Sequence, residues 1–140
     1  MNLQIKKLHP DAKAPTYAHP GDAGMDMYAV GTTIVPAGQR AIISTGIAMA
    51  IPLGYVGLIW DKGGISNKFG LTVIGGVVDA GYRGEILIGI FNTSHTDYTF
   101  TAGDKVAQMV IQAVIQPTFT EVDELDETPR GEGRFGSTGI

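Results

Sequence analysis

Short runs of apolar and β-branched residues recur along the chain, and glycine, proline or aspartate separates each run from the next. No window of a dozen residues carries the period of about 3.6 residues that is typical of an amphipathic helix, although Ile65–Phe69 is compatible with a single helical turn. Many short strands with regular turn signals indicate a β-sandwich or β-barrel, so the pattern predicts an all-β domain. The predicted strands are Arg40–Ser44, Ile47–Ile51, Tyr55–Trp60, Leu71–Val78, Glu85–Asn92, Lys105–Ile115 and Thr118–Val122.

The strand predicted at Lys105–Ile115 is apolar on both faces except at its glutamines. Gln108 lies between Val106 and Val110 on one face, and a buried amide costs free energy unless it is hydrogen-bonded. Two interpretations stay open, since neighbouring backbone can satisfy the amide or the amide can point at a ligand. Apolar residues on both faces of a strand in a small domain also indicate contacts between subunits.

The uncharged segment Ala41–Trp60 is long enough to cross a bilayer as a helix. Pro52 and Gly54 predict a turn in its middle, so we interpret it as two core strands rather than as a membrane span. Met1–Pro10 has no apolar stretch typical of a signal peptide, and we therefore expect a cytoplasmic protein.

Composition excludes several classes of protein. The 140 residues fit one domain, and the absence of cysteine excludes disulfides, thiolate metal sites and a cysteine nucleophile. The net charge of −4 argues against broad binding of nucleic acid, which needs a basic face. The histidines occur singly, without the spacing of a zinc site.

The segment Ile74–Ile86 predicts a β-hairpin whose loop presents Asp79, Tyr82 and Arg83. Glycines before its valine pair would let a ligand approach the main chain. A carboxylate that follows an apolar strand can act as a general base for water. An ordinary turn aspartate, hydrogen-bonded to its own backbone, is the alternative.

Both ends of the chain carry further polar groups in glycine-rich sequence. Asp22 and Asp26 lie in a loop-like stretch where carboxylates could orient waters around Mg²⁺, although aspartate and glycine simply favour loops. Residues 130–140 combine two arginines, one phenylalanine and two hydroxyl side chains, a set that can close over an anionic ligand with a flat ring. A mobile terminus without a function is the alternative.

Taken in order, these segments resemble the trimeric all-β family of deoxyuridine triphosphate diphosphatases (dUTPases), which carries five short motifs in fixed sequence. The resemblance spans nearly the whole chain, and the third and fifth motifs are the most specific. The matching stretches are Ala23–Asp26, Asp61–Ser66, Gly76–Gly84, Gly103–Gln108 and Arg130–Gly139.

The resemblance implies a distorted jelly-roll, or β-sandwich of the β-clip type, that forms a homotrimer with shared active sites. It implies a β domain over residues 1–128 and a flexible C-terminal arm over residues 129–140. The reaction would be hydrolysis of dUTP to dUMP and pyrophosphate with Mg²⁺ on the triphosphate, which lowers the ratio of dUTP to dTTP and supplies dUMP for dTTP synthesis. The location would be the cytoplasm, or the interior of the host cell if the protein is viral.

The resemblance also implies roles for individual residues. Asp79 would polarise the water that attacks the α-phosphorus, Tyr82 would stack under the deoxyribose, and Asp26 would reach Mg²⁺ through water. Uracil would lie against Gly76, Val77, Val78, Asp79 and Leu87, with Phe135 covering it. The phosphates would contact Lys62, Gly63, Gly64, Gln108, Arg130, Gly136, Ser137 and Thr138.

The second motif departs from the usual Arg-Ser-Gly of the family, because this chain has Lys62-Gly63-Gly64. Lysine keeps the charge but loses the bidentate fork, and glycine removes a hydroxyl. We therefore expect activity with a reduced rate or altered phosphate binding. Two alternatives are a related dCTP deaminase and a non-catalytic nucleotide-binding protein of the same fold. The form of the third motif argues against the first, and the complete set of motif residues argues against the second.

Overall fold

The computed structural model describes residues 1–134, and its secondary structure there consists almost entirely of short strands. The predicted all-β class is confirmed, and so is the helical turn, which extends over α1 (Gly63–Phe69). The strands are β1 (Gln4–Lys7), β2 (Met25–Tyr28), β3 (Thr33–Val35), β4 (Arg40–Ala50), β5 (Tyr55–Asp61), β6 (Leu71–Ile74), β7 (Val77–Val78), β8 (Glu85–Asn92), β9 (Tyr98–Phe100) and β10 (Lys105–Ala113).

Two four-stranded antiparallel sheets form the body, in a jelly-roll arrangement. The first sheet has the order β1-β4-β8-β6 and the second the order β2-β10-β5-β7, while β3 pairs with β9 separately. Strand β8 shows why the sheets pack: Ile86, Ile88 and Ile90 are buried, whereas the alternating Leu87 and Phe91 face outward.

The hydrophobic core combines residues of both sheets. Strands β4 and β8 supply mainly isoleucine, while β2 and β10 supply methionine, which adapts to irregular space. The largest fully buried side chains are Phe100, Met27, Ile43, Ile47, Ile51, Ile86, Ile88, Ile90, Met109, Val35, Val106 and Asn92. This core fixes the strand ends that carry the polar residues described below.

The two strands predicted between residues 40 and 51 are one strand, β4, with an irregularity in its middle. Its pairing with β8 shifts between Ser44 and Ala48, and Gly46 has φ 64°. A bulge of this kind adds residues to one strand without ending the ladder, which is why the sequence resembled two strands. The predicted turn around Pro52 and Gly54 is confirmed, and Tyr55 donates its N–H to the carbonyl of Pro52 at 3.2 Å.

The prediction of a single strand at Leu71–Val78 is wrong, because Gly75 and Gly76 have φ 81° and 108° and divide it into β6 and β7. The predicted hairpin is also wrong. Strand β7 pairs with β5 in the second sheet, whereas β8 pairs with β4 and β6 in the first. The loop that carries Asp79 therefore joins the two sheets.

The C-terminal predictions hold only in part. Strand β10 ends at Ala113 rather than at Ile115, and its side chains are buried on both faces only near its start. The strand predicted at Thr118–Val122 is absent, since that segment has no strand partner within residues 1–134 and Phe119 is 93% exposed. In the described part of the chain, no helix is long and apolar enough to span a membrane.

Candidate active site

A cleft of about 220 Å³ opens where the loop after β7 joins the two sheets. Five residues that the sequence analysis selected come together there. The lining residues are Val77, Val78, Asp79, Tyr82, Glu85, Ile86 and Leu87. The cleft thus offers an apolar wall, an aromatic ring and one carboxylate at its edge.

The carboxylate of Asp79 is exposed, and within residues 1–134 it makes no hydrogen bond or ion pair. Its loop is nevertheless ordered by its own contacts. Tyr82 donates its hydroxyl to the carbonyl of Glu85 at 2.8 Å, and Arg83 donates to the carbonyls of Ala80 at 2.6 Å and Tyr82 at 2.8 Å. The loop therefore holds Asp79 beside the cleft while its oxygens stay available to a water.

Two glycines shape this region by close approach. At Gly76 a β-carbon would lie 2.8 Å from the carbonyl oxygen of Ile59, and the positive φ disfavours any other residue. At Gly84 a β-carbon would collide with the ring of Tyr82. Gly76 itself lies outside the cleft, because its carbonyl accepts the N–H of Ile59 at 2.8 Å and its atoms line an adjoining groove with Asp61.

A second cluster surrounds Asp26 on β2, which is 3% exposed. Its Oδ1 accepts a hydrogen bond from Lys62 Nζ at 2.6 Å, and its Oδ2 lies 2.6 Å from Lys105 Nζ. The second contact is an ion pair without the angle of a hydrogen bond. Both oxygens of this buried carboxylate are thus next to ammonium groups.

These contacts favour the charged forms of Asp26 and Lys105. Burial by itself raises the pKa of Asp26, but its contacts with Lys105 and Lys62 and their positive charges outweigh burial, so the pKa lies below the ordinary 3.8. The close contact with the Asp26 carboxylate and its negative charge raise the pKa of Lys105. Asp26 therefore stays ionised well into the acid range, and Lys105 stays charged at neutral pH.

Gln108 and Asp61 connect this cluster to the start of α1. Gln108 is opposite Asp26 in the pairing of β10 with β2, and its Nε2 donates to the carbonyl of Asp61 at 2.9 Å. A β-carbon at Gly24 would collide with Gln108 Oε1. The interpretation that neighbouring backbone satisfies Gln108 is confirmed for its nitrogen.

The second motif forms the first turn of α1. Lys62 occupies the N-cap position without a side-chain cap, and Gly63 and Gly64 are exposed. The N–H groups at the start of a helix have no carbonyl partner within it, so they can bind an anionic oxygen. Ser66 donates its hydroxyl to Asp61 Oδ2 at 3.2 Å, and this side chain is therefore not a substitute for the missing hydroxyl at position 63.

The sequence predicts that Mg²⁺ takes part, and the arrangement of possible metal ligands can be compared with that prediction. Among residues 1–134, no three histidine or carboxylate side chains are grouped to hold a metal ion. The lysine contacts of Asp26 compete with an outer-shell role of its carboxylate, and that role stays a prediction.

The expected arm is described only in part. Arg130 is exposed, and its Nε donates to the carbonyl of Gly133 at 3.2 Å. The roles predicted for Phe135, Gly136, Ser137 and Thr138 concern residues outside the part of the chain that the structure describes.

Sequence reasoning missed three residues of the site. Lys105 pairs with Asp26. Asp61 accepts three hydrogen bonds at its carboxylate and one at its backbone carbonyl. Glu85 accepts the N–H of Gly46 at 2.7 Å and the hydroxyl of Ser44. A signal existed for Lys105, since an aspartate inside the apolar run Met25–Tyr28 requires a cationic partner. Nothing in the local sequence identified which cation it was.

Known proteins similar to this chain have both the sequence and the fold in common with it. A sequence model of the family described as dUTPase matches residues 10–139. The deoxyuridine 5'-triphosphate nucleotidohydrolase of Thermobifida fusca is 47% identical over 142 aligned residues, which cover 99% of this chain and 79% of that protein. The solved structure of Staphylococcus bacteriophage 80alpha dUTPase with dUPNHPP has a TM-score of 0.93 and 31% identity, covering 99% of each chain. A mutant dUTPase from phage phi11 of S. aureus, whose structure concerns the coordination of a structural Mg(II) ion, has a TM-score of 0.84 and 31% identity, covering 89% of this chain and 98% of that one.

Proposed function

The chain belongs to the dUTPase family, and from this membership we propose that it is a dUTP diphosphatase, which hydrolyses dUTP to dUMP and pyrophosphate. One observation carries the proposal: the third-motif residues line a single cleft, and the carboxylate of Asp79 at its edge has no partner among residues 1–134. A site that serves only binding has no need of a carboxylate kept free of partners. The match over nearly the whole chain supports the same activity.

In the proposed reaction, Asp79 accepts a proton from a water whose oxygen forms a bond to the α-phosphorus. The bond from that phosphorus to the bridging oxygen of the β-phosphate breaks, and pyrophosphate leaves with the electron pair. A positioned base contributes about 10²–10⁴-fold to such a step. The remaining acceleration would come from orientation and from cations around the phosphate chain.

Selection of the substrate would take place in the cleft. The small volume and the side chains of Val77, Val78 and Leu87 fit a flat pyrimidine, and backbone groups of the segment from Val77 to Asp79 would read its edge. The ring of Tyr82 is 47% exposed beside the cleft, where it would stack under a deoxyribose and leave no room for a 2′-hydroxyl. These contacts support a preference for dUTP over UTP and dTTP.

The phosphate chain would bind near the second cluster. Gly63 and Gly64 would supply backbone N–H groups, Lys62 a positive charge, and Gln108 its amide. When bound, Mg²⁺ would neutralise part of the phosphate charge, and Asp26 would be the carboxylate that reaches its water shell. From the arm at residues 129–140, Arg130 would bind the γ-phosphate, Phe135 would cover the uracil, and Gly136, Ser137 and Thr138 would contact the phosphates.

A homotrimer would join these two parts of the site. The residues that line the Asp79 cleft include none from the cluster of Asp26, Lys62 and Gln108. We propose that the cleft of one protomer faces the phosphate cluster of a second one, with the β domain at residues 1–128 as the body. The arm would then close over a site built by more than one chain.

The test is an assay of the purified protein against dUTP, UTP, dTTP and dCTP, with and without Mg²⁺. We expect release of pyrophosphate from dUTP, weak or no release from the other three, and a strong dependence on Mg²⁺. Release of ammonia from dCTP would instead support a deaminase. Tight binding of dUTP without release of pyrophosphate would support a non-catalytic protein, and either result overturns the proposal.

A further inference from the structure

Asp61 lies at the junction of β5 and α1, directly before the Lys62-Gly63-Gly64 turn. Its carboxylate accepts the N–H of Val73 at 2.6 Å, the hydroxyl of Thr72 at 3.0 Å and the hydroxyl of Ser66 at 3.2 Å. Ser66 is on the helix, whereas the other two donors are on β6. One side chain therefore ties the start of the helix to a strand of the first sheet.

Helix α1 has few other attachments at this end. It has no side-chain N-cap, and none of its residues is fully buried, although Ile65 packs against the core. Its C-terminal end is held separately, because the carbonyl of Gly70 accepts the N–H of Thr93 at 2.8 Å and its hydroxyl at 2.7 Å. Within the described chain, the polar anchors of the first turn are thus the carboxylate of Asp61, which holds Ser66, and the contact of the N-cap residue Lys62 with Asp26.

The backbone of the same residue holds a second group of the site. Gln108 Nε2 donates to the carbonyl of Asp61 at 2.9 Å, and Asp61 pairs with Ala107 across β5 and β10. Asp61 therefore contacts both the turn and the amide that would bind the phosphate chain. A displacement of this residue would move both sets of phosphate donors together.

We propose that Asp61 is a positioning residue, which aligns the N–H groups of Gly63 and Gly64 and the amide of Gln108 for the outer phosphates. The inference rests on the proposed function, since it concerns the same substrate. Asp61 would not contact the substrate or the attacking water. It acts by fixing where its neighbours lie, as the outer-shell partners of metal ligands do, and the loss of such a partner typically costs about 10–100-fold in affinity or activity.

The test compares two ligands that differ in the outer phosphates. Binding of a non-hydrolysable dUTP analogue and of dUMP is measured for the wild type and for Asp61→Ala, at constant protomer concentration and after the oligomeric mass has been checked. We expect the Kd of the analogue to rise about 10–100-fold and the Kd of dUMP to change less than about 3-fold. An equal change in both Kd values indicates a merely structural role and overturns the inference.

Asp61→Asn provides the conservative variant. Its Oδ1 can still accept the N–H of Val73, and its amide can donate to the hydroxyls of Thr72 and Ser66, so we expect both Kd values to return to within about 3-fold of wild type. If Asp61→Ala does not fold, the double variant Ser66→Ala, Thr72→Val removes two of the three bonds and should shift the analogue alone. No selective shift in that variant also overturns the inference.

Asp97→Ala is the matched control. Its carboxylate is exposed and accepts one backbone N–H, from Ala37 at 2.9 Å, far along the chain from the second motif. We expect no change in either Kd. A wild type that does not hydrolyse dUTP would contradict the proposed function, whereas an active wild type with no selective effect at Asp61 would contradict this inference only.

Discussion

Asp61 and Asp79 have the same local sequence setting, since each carboxylate stands at the end of a short apolar strand, close to glycine. The two carboxylates differ in their hydrogen bonds in the folded protein. Asp61 is hydrogen-bonded to Ser66, Thr72 and Val73, whereas the carboxylate of Asp79 has no such partner within residues 1–134. A carboxylate with satisfied oxygens holds structure in place, and one left open beside a cleft can bind a water.

The difference extends to the regions around them. Near Asp61, the buried carboxylate of Asp26 is paired with two lysines, so this region is already ordered by charge. Near Asp79, order comes from backbone contacts of the loop, and the carboxylate itself takes no part. We infer that the first region is built for stability and placement of phosphate, and the second for chemistry.

Asp79→Asn tests the comparison most strongly. We expect the rate of pyrophosphate release to fall about 10³-fold, because the amide cannot accept the proton of the attacking water. The free energy of unfolding should change by less than about 0.5 kcal/mol, because the side chain is exposed. The measurements are the kcat for dUTP, the Kd of a non-hydrolysable analogue and a denaturant titration.

Asp11→Asn is the control for this variant, because it removes an exposed carboxylate, with a side chain 78% accessible, from a residue that does not line the cleft. It should leave kcat unchanged. If Asp79→Asn hydrolyses dUTP with the wild-type kcat, Asp79 is not the catalytic base. The regions around Asp61 and Asp79 would then not differ in chemical role.

Local pattern predicted the parts of the fold that depend on local properties. Strand β8 was predicted with its observed bounds, since its alternation of buried and outward residues needs no knowledge of distant partners. Gly75 and Gly76 were recognised as points of close approach, but the change of sheet that they cause depends on pairing with β5, which the local sequence does not contain. The hairpin prediction failed for this reason.

The same limit applies to the site. Asp79 and Tyr82, both selected from the sequence, line the same cleft because their loop lies within one continuous segment. The partner of Asp26 was not predicted, because Lys62 is 36 residues away in sequence and Lys105 is still more distant. An ion pair between elements that are distant in sequence depends on the sheet topology, and the hydrophobic pattern alone does not define that topology.

Asp26→Asn is expected to lower the stability of the fold, which Asp79→Asn is expected to leave nearly unchanged. We expect a loss of about 1–3 kcal/mol in the free energy of unfolding at pH 7. This is less than the ~3–5 kcal/mol typical of a broken, fully buried pair, because Lys62 and Lys105 remain partly solvated. The measurement is a denaturant titration at fixed protomer concentration.

The ion pairs of Asp26 also predict how the free energy of unfolding depends on pH. The pKa of Asp26 is lower in the folded protein than in the unfolded chain, so its ion pairs contribute fully above about pH 4 and lose that contribution as the pH falls through the folded-state pKa. Asp26→Asn should therefore flatten the loss of stability in acid. Asp22→Asn, at an exposed loop carboxylate that accepts the N–H of His19, is the control and should keep the wild-type profile. An unchanged acid profile in Asp26→Asn would mean that the buried pair does not stabilise the fold.

Gly63→Ser is expected to have the smallest effect. It tests whether an added hydroxyl near the phosphates raises kcat/KM without disturbing the surrounding structure. A β-carbon at this position would meet only Asn67 Nδ2, at 3.9 Å, so the side chain fits. One added hydrogen bond to phosphate is worth about 0.5–1.5 kcal/mol, which corresponds to a rise of about 2–10-fold in kcat/KM for dUTP. Gly63→Ala makes the same change to the backbone without the hydroxyl and should leave kcat/KM near wild type. Equal values for serine and alanine would show that the hydroxyl absent from this motif is already compensated by the N–H groups of the turn.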